Sequence, residues 1–191
     1  VGTAGTTSAG VIDPLSSVAD VAVAHGAWFH ADAAWGGGAV LSPRLRPALA
    51  GIERADSVTW DAHKWLSVPM GAGMFFCKHP EAVTRAFNVS TSYMPGAVGA
   101  DTPDPYATTA QWSRRAIGLK VFMSLAELGT AGYGALIEQQ AETGDLLRSL
   151  LLAAGWLVVN ETPLPVVCFT HSDIRTGRLS TGDVVRAISA R

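Results

Sequence analysis

The distribution of apolar and polar residues predicts short strands that alternate with helices. Apolar runs that predict strands occupy residues 1–4, 27–29, 57–60 and 74–77. The last of these runs is apolar on both faces, which predicts an interior strand. One helix, capped by Asp13 and beginning at Pro14, is predicted to end at Gly26, and a short surface helix is predicted over residues 43–50. This alternation is typical of an α/β fold with a parallel sheet.

The second half of the chain contains longer helical patterns. Apolar residues at helical spacing predict helices over residues 111–126, 135–154 and 180–190, with strands at 156–159 and 166–169. Glycines at 129, 132 and 134 predict a hinge between one domain of residues 1–128 and a second of residues 129–191. Residues 89–109 are rich in Ser, Thr, Pro and Gly, which predicts a lid, a binding loop or a disordered link.

Two predicted strands end in residues that can carry chemistry. His30-Ala31-Asp32-Ala33-Ala34 follows the run at 27–29, and Asp61-Ala62-His63-Lys64-Trp65 follows the run at 57–60. Because parallel strands joined by a right-handed crossover end at the same edge of a sheet, Asp32 and Lys64 are expected to face one pocket. Pyridoxal phosphate needs such a pair: a lysine for the Schiff base and a carboxylate that keeps the ring nitrogen protonated.

Two other segments near these motifs are candidate ligand contacts. His30 lies two residues before Asp32, on the same strand face, and is expected to hydrogen-bond its carboxylate. A metal site built on this pair would lack further ligands. The turn that contains Thr7 follows the first strand, and its hydroxyl and amide groups are expected to reach a cofactor. The alternative is an ordinary loop whose hydroxyls bond their own backbone.

The sequences of these motifs resemble those of the group II pyridoxal-phosphate-dependent decarboxylases. This family includes the aromatic-amino-acid, histidine and glutamate decarboxylases. The motifs that carry the resemblance are Thr3-Ala4-Gly5-Thr6-Thr7, His30-Ala31-Asp32-Ala33-Ala34-Trp35 and Asp61-Ala62-His63-Lys64-Trp65. The resemblance implies a fold-type-I architecture with pyridoxal 5'-phosphate bound by Lys64 as a Schiff base. It further implies that Asp32 pairs with the pyridine nitrogen, that Ala34 lies against the ring, and that His63 lies near the phosphate.

The resemblance also carries expectations about the rest of the site. In this family the loop that corresponds to residues 89–109 closes over the active site, often that of a neighbouring subunit in a homodimer. Tyr106 matches the lid tyrosine that protonates the substrate carbon after decarboxylation, with His63 as the alternative donor. The chain is expected to be an internal fragment: the C-terminal part of the large domain followed by the start of the small α/β domain.

Composition limits the remaining function classes. The net charge is −2 without a basic run, so nucleic acid or an anionic membrane is not an expected partner. No apolar stretch reaches the roughly 18 residues of a membrane span. Apolar residues make up 48% of the chain and charged residues 16%, which predicts a large core. Two isolated cysteines suit a reduced, cytoplasmic protein.

The expected activity is the decarboxylation of an L-amino acid. Six tryptophans and the sequence around Lys64 favour an aromatic substrate over glutamate or a diamino acid. Another fold-type-I reaction remains an alternative, such as that of an aminotransferase, a desulfurase or an aldehyde-forming decarboxylase, because fold does not fix function. A non-catalytic subunit is the alternative from a different class, although Asp32 and Lys64 are both present.

Overall fold

A four-stranded sheet organises the first half of the molecule. The computed structural model describes residues 1–87, 106 and 108–190. Strands β1 (Gly2–Thr3), β2 (His30–Asp32), β3 (Ser57–Asp61) and β4 (Gly73–Cys77) lie side by side in chain order. The first three strands are parallel, and β4 is antiparallel to β3. The predicted α/β fold and the parallel pairing of the two motif-bearing strands are therefore confirmed.

Helices and turns connect and follow these strands. Helix α1 (Leu15–Ala24) joins β1 to β2, and three short 3₁₀ turns join β2 to β3. After β4 come α2 (Pro80–Phe87), the long α3 (Ile117–Ala153), the antiparallel pair β5 (Leu157–Val158) and β6 (Phe169–Thr170), then α4 (Ser172–Arg175) and α5 (Thr181–Ser189). Within α3 the helical dihedral angles are interrupted at Gly129, whose φ is 64° and ψ is 174°.

The hydrophobic core lies on one face of the sheet and includes side chains from both halves of the chain. Ala31 and Phe29 from the first half are buried together with Tyr133, Ile137 and Leu164 from the second. Helix α3 comes so close that a Cβ on Gly134 would lie 2.7 Å from the carbonyl oxygen of Leu41. The predicted division into residues 1–128 and 129–191 stays a prediction.

A buried hydroxyl also ties α3 to the turns that follow β2. Ser42 is fully buried and donates to Glu138 Oε1 at 2.6 Å, while the backbone N–H of Leu45 donates to Ser42 Oγ. This bond to Ser42 is the main reason why the pKa of Glu138 is lowered. The contact fixes the second half of α3 against the elements that carry the Asp32 motif.

The positions of several elements differ from the sequence-based expectation because backbone groups find side-chain partners. The second strand begins at His30 instead of residue 27, since the N–H of Phe29 donates to Asp56 Oδ2 at 2.8 Å and not to a neighbouring strand. Asp13 does not cap α1. Its Oδ2 accepts a bond from the N–H of Thr3 at 2.8 Å, and Pro14 occupies the cap position without a side-chain bond.

The expected interior position of the last strand in the sheet stays a prediction, because the described residues supply a neighbour on one side only. Strand β4 lies at the edge of the four-stranded sheet, with Phe75 57% exposed and Phe76 49% exposed. An apolar run cannot by itself distinguish a central strand from an edge strand. The short helix expected over residues 43–50 is present as the 3₁₀ helix Arg46–Leu49, and the helix expected from residue 111 begins at Ile117.

The C-terminal elements agree better with expectation. The last helix, α5, has Ser180 as its N-cap in a capping box with Asp183. The strand expected at 156–159 shortens to β5, whereas the strand expected at 166–169 is shifted to β6 and overlaps the prediction only at Phe169. No helix in the described ranges is both long and apolar enough to span a bilayer. Cys77 and Cys168 are free thiols.

Candidate active site

One face of the sheet carries a row of polar side chains that leads to its carboxyl edge. In the register of the strands, Asp32 lies beside Thr3 on β1 and beside Thr59 on β3. Because alternate residues of a strand share a face, Asp61 follows Thr59 on the same side, about 7 Å further along the strand. The opposite face carries Ala31 and packs against the core. Asp32 and Asp61 therefore lie on one face, towards the same edge of the sheet, while the predicted convergence of Asp32 and Lys64 on one pocket stays a prediction.

Only one of the two carboxylate oxygens of Asp32 accepts a hydrogen bond from the described part of the protein. Its side chain lies at the end of β2 and is exposed, and Oδ1 accepts a bond from the N–H of Ala34 at 3.1 Å. Oδ2 has no partner among the residues that the structure describes. Ala33 is buried and Ala34 is half-buried, so the backbone beside the carboxylate carries only methyl groups. A flat cationic ring could approach this carboxylate without meeting a larger side chain from these two residues.

Lys64 lies in the turn that follows β3 and forms an ion pair with Asp61. Its Nζ is 2.9 Å from Asp61 Oδ2, with the lysine side chain 34% exposed and the aspartate side chain 18% exposed. The turn is fixed by bonds from the N–H of Lys64 to Asp61 O at 3.0 Å and from the N–H of Val68 to Ala62 O at 3.1 Å. Ser67 adopts the left-handed region with φ of 56°, which is unusual for a residue other than glycine.

Asp61 is a functional candidate that the sequence analysis did not identify. The motif places it three residues before Lys64, a spacing at which both side chains of one helical turn meet. That spacing was the available signal, but it becomes convincing only when β3 is known to end at Asp61 and a turn is known to follow.

His63 has a defined tautomer in this arrangement. The backbone N–H of Ala72 donates to His63 Nδ1 at 3.2 Å, so the neutral ring carries its proton on Nε2. That Nε2 lies 3.9 Å from Asp61 Oδ2, which is too long for a hydrogen bond. His63 Nε2 and Lys64 Nζ thus both lie near Asp61 Oδ2.

The expected hydrogen bond from His30 to Asp32 is wrong. His30 Nδ1 lies 2.8 Å from Ser57 Oγ, and Nε2 lies 3.2 Å from Thr59 Oγ1. Neighbouring hydroxyls on β3 therefore occupy both ring nitrogens. Trp28 Nε1 donates to the same Ser57 Oγ at 2.8 Å. The proposed contact between His30 and a cofactor stays a prediction.

The turn after β1 leaves the sheet beside Asp32. The N–H of Ala4 donates to Asp32 O at 2.8 Å, and the turn closes through the N–H of Gly10 donating to Thr6 O at 2.8 Å. Thr6 Oγ1 accepts a bond from the N–H of Val11, whereas Thr7 is exposed. Of the two threonines, Thr7 is the one whose hydroxyl is not used by the turn itself, which suits its predicted role.

The predicted lid falls mostly outside the described residues. Tyr93 and most of residues 89–109 are not among the residues that the structure describes. Tyr106 is described: it is half-buried, and its ring centroid lies 6.0 Å from that of Trp112. Its role as a proton donor stays a prediction.

A structural carboxylate lies at the opposite end of the strands from the site. The N–H of Phe29 is the main cause that lowers the pKa of Asp56, followed by the hydrogen bond from His79 Nε2 at 3.0 Å. Asp56 therefore stays ionised and anchors the start of both β2 and β3.

No group of three or more metal-ligating side chains occurs in the described part of the chain.

The residues at the carboxyl edge fit pyridoxal phosphate. A carboxylate with an unused oxygen ends β2 and is followed by the small residues Ala33 and Ala34, and a lysine amine lies in the turn after the neighbouring strand β3. These are the groups that a protonated ring nitrogen and an aldehyde require.

Comparison with known proteins agrees with this fit. The family described as "Pyridoxal-dependent decarboxylase conserved domain" matches residues 1–172. An L-2,4-diaminobutyrate decarboxylase of Rhizobium meliloti is 41% identical over 177 residues, which are 92% of this chain and 36% of that protein. An aspartate 1-decarboxylase of Aliivibrio fischeri is 40% identical over 151 residues, which are 79% of this chain and 27% of that protein.

A solved structure extends the comparison to the fold. The crystal structure of Oryza sativa TDC with PLP and tryptamine matches with a TM-score of 0.82 and 29% identity, over 88% of this chain and 35% of that chain. The chain thus spans about a third of the length of the proteins that it matches.

Proposed function

Because the chain belongs to the pyridoxal-dependent decarboxylase family, we propose that it is part of an enzyme that converts an L-amino acid to its amine and carbon dioxide. The cofactor of the family is pyridoxal phosphate. The observation that carries the proposal is that Asp32, with its unused carboxylate oxygen, and the ion pair of Lys64 with Asp61 follow two neighbouring parallel strands.

Each of these residues has a defined task in the reaction. When bound, pyridoxal phosphate supplies an electron-accepting ring for the electron pair that the leaving carboxylate leaves behind. Asp32 holds the proton on the ring nitrogen through its unused oxygen. Lys64 binds the cofactor through its amine, and it must leave the carboxylate of Asp61 to do so. His63, with its proton on Nε2, is a donor toward an anionic group near Asp61.

The substrate is a separate matter from the reaction. The tryptophans that favoured an aromatic substrate have structural roles in several cases: Trp35 and Trp65 stack with centroids 5.1 Å apart, and Trp28 bonds Ser57. The relatives at 40% and 41% identity are named for aspartate and diaminobutyrate, whereas the solved structure with tryptamine is 29% identical. We therefore place a charged aliphatic amino acid ahead of an aromatic one.

The remaining features of the proposal follow from the resemblance of the motifs. Tyr106 is the proposed proton donor to the substrate carbon, and the active site is proposed to lie at the interface of a cytoplasmic homodimer. An aminotransferase or an aldehyde-forming decarboxylase on the same scaffold is the competing activity.

The decisive experiment is to incubate the intact protein with a panel of L-amino acids and to measure carbon dioxide, amine and aldehyde. Aspartate, 2,4-diaminobutyrate, glutamate, tyrosine and tryptophan form the panel. Release of carbon dioxide with an equal amount of amine from one of them supports the proposal. Amino-group transfer without carbon dioxide would replace decarboxylation with the aminotransferase activity.

A labelling experiment tests the cofactor lysine. Reduction with borohydride should fix the cofactor on Lys64. Two other lysines serve as internal controls because they are occupied structurally: Lys78 Nζ donates to Glu53 O at 2.7 Å, and Lys120 Nζ donates to Pro69 O at 2.7 Å. A label on Lys78 or Lys120 would overturn the site assignment.

A further inference from the structure

Three consecutive carbonyl groups of the turn after β1 accept hydrogen bonds from side chains that lie about 150 residues further along the chain. Cys168 Sγ donates to Ser8 O at 2.9 Å, and Asn160 Nδ2 donates to Ala9 O at 2.9 Å. Thr162 Oγ1 donates to Gly10 O at 2.6 Å. Residues 160–168, which we call the clamp segment, thus bind the tip of the turn that carries Thr7.

The clamp segment is itself held in shape before it meets the turn. Asn160 Oδ1 accepts a bond from the N–H of Cys168 at 2.7 Å, which closes the segment on itself. Arg148 on α3 donates to Leu164 O at 2.7 Å and to Val166 O at 2.8 Å. These bonds anchor the segment to α3, so the three donors have fixed positions relative to the turn.

A buried leucine extends this contact to the base of the turn and to the Asp32 motif. Leu164 is fully buried, and a Cβ on Gly5 would lie 2.7 Å from its Cδ1. A Cβ on Gly36, in the turn that follows Asp32, would lie 3.3 Å from the same atom. Leu164 therefore packs beneath both turns that border the candidate cofactor site.

The internal bonds of the turn close its base and leave its tip to the clamp segment. They join the N–H groups of Gly5 and Thr6 to Val11 O, and the N–H of Gly10 to Thr6 O. The carbonyls of Ser8, Ala9 and Gly10 instead accept from side chains of the clamp segment. Loss of these donors would remove the support of the tip, so the internal bonds that protect the N–H groups of the turn would open more often and the turn would hold its position beside Asp32 less well.

We propose that Asn160 and Thr162 are positioning residues for the cofactor site. By holding the turn of residues 5–10 against Leu164, they fix the placement of Thr7 beside Asp32 and so slow the release of pyridoxal phosphate. This inference rests on the proposed function for the identity of the cofactor. It assigns a task in cofactor retention to a segment that supplies none of the predicted cofactor contacts.

The test uses four versions of the intact protein, each with and without cofactor: wild type, Thr162→Val, Thr162→Ser and Ser180→Ala. Thr162→Val keeps the shape of the side chain but removes the donor to Gly10 O, together with the acceptor of the N–H of Leu164 within the clamp segment. Thr162→Ser keeps the hydroxyl and should restore wild-type behaviour. Ser180→Ala is the matched control, because it removes the N-cap of α5 in the same C-terminal region without touching the turn.

Two quantities are measured on each version. Hydrogen exchange of residues 6–11 is measured in the cofactor-free protein, and the rate of cofactor release is measured after dilution. For Thr162→Val we expect faster exchange in the turn and a release rate raised about three- to tenfold, as the loss of one hydrogen bond implies. Thr162→Ser and Ser180→Ala should match wild type in both.

Contrary outcomes are distinguishable from a failure of the proposed function. Unchanged exchange in Thr162→Val, or faster exchange with an unchanged release rate, would overturn the positioning role. Equal effects from Thr162→Val and Ser180→Ala would reduce it to general destabilisation and also overturn it. Wild-type protein that binds no pyridoxal phosphate would overturn the proposed function, while hydrogen exchange would still show whether the clamp segment holds the turn.

Discussion

Replacing Asp61 by Asn should speed the covalent capture of pyridoxal phosphate by the cofactor-free protein. The substitution keeps the shape of the side chain and one oxygen acceptor but removes the charge that faces Lys64. Lys64 must leave this partner to react with the cofactor aldehyde, so the ion pair stabilises the state before capture. Weakening it should lower the barrier.

The magnitude follows from the geometry of the pair. At 2.9 Å and an effective dielectric constant of about 20, the Coulomb attraction is about 6 kcal/mol before desolvation and side-chain entropy are subtracted. Both side chains retain contact with solvent, at 34% and 18% exposure, and pairs of this kind retain a net of about 1 kcal/mol. A loss of that size corresponds to a capture rate about fivefold higher.

The assay mixes cofactor-free intact protein with pyridoxal phosphate and follows the absorbance of the bound form with time. Asp20→Asn is the charge-matched control, because Asp20 is 71% exposed and pairs with Arg54 away from the site. The control should capture cofactor at the wild-type rate. If Asp61→Asn captures cofactor several times more slowly, the carboxylate assists the reaction of Lys64 and does not restrain it, which would refute the expected gain in rate.

Three further predictions concern individual side chains. Asp32→Ala should weaken cofactor binding by about 1.5 to 3 kcal/mol, the range for a charged hydrogen bond, and reduce turnover with it; normal turnover would remove the basis of the mechanism. Tyr106→Phe should lower amine formation about 10²- to 10⁴-fold and release aldehyde in the presence of oxygen, and an unchanged amine yield would exclude the tyrosine as donor. Asp56 has a pKa lowered below its ordinary value of 3.8, so it should stabilise the fold above that pH and lose this contribution as the pH falls through the folded-state value. The difference in melting temperature between wild type and Asp56→Asn should therefore be present at pH 6 and disappear in acid.

The sequence allowed the edge of the sheet to be predicted because strand ends and motif spacing are local properties. Asp32 and Lys64 follow apolar runs at a separation that suits one crossover. The parallel pairing of the two strands that precede them could therefore be predicted without further information. The family resemblance then supplied the chemistry. The position and direction of β4 in the sheet could not be predicted in the same way, because Phe75 and Phe76 are apolar whether or not a neighbouring element covers them.

Two of the wrong predictions share one physical cause, which is competition for polar partners. Asp13 has a favourable capping position, yet its carboxylate is bound by the N–H of Thr3. His30 could reach Asp32 along its own strand, yet the hydroxyls of Ser57 and Thr59 on the next strand take both ring nitrogens. A single sequence shows which groups need partners but does not show which neighbour lies across the sheet.

The clamp segment has a consequence for the order in which the protein matures on the ribosome. Asn160 bonds a carbonyl 151 positions earlier in the chain, so the turn beside Asp32 lacks this support until residues 160–168 have been synthesised. At about 5 to 20 residues per second, the delay is roughly 8 to 30 s. Strands β1 to β3 and their motif residues would be complete once Lys64 has been made, well before the end of this interval. A nascent chain stalled before residue 160 should therefore hold pyridoxal phosphate poorly although Asp32 and Lys64 have already been made.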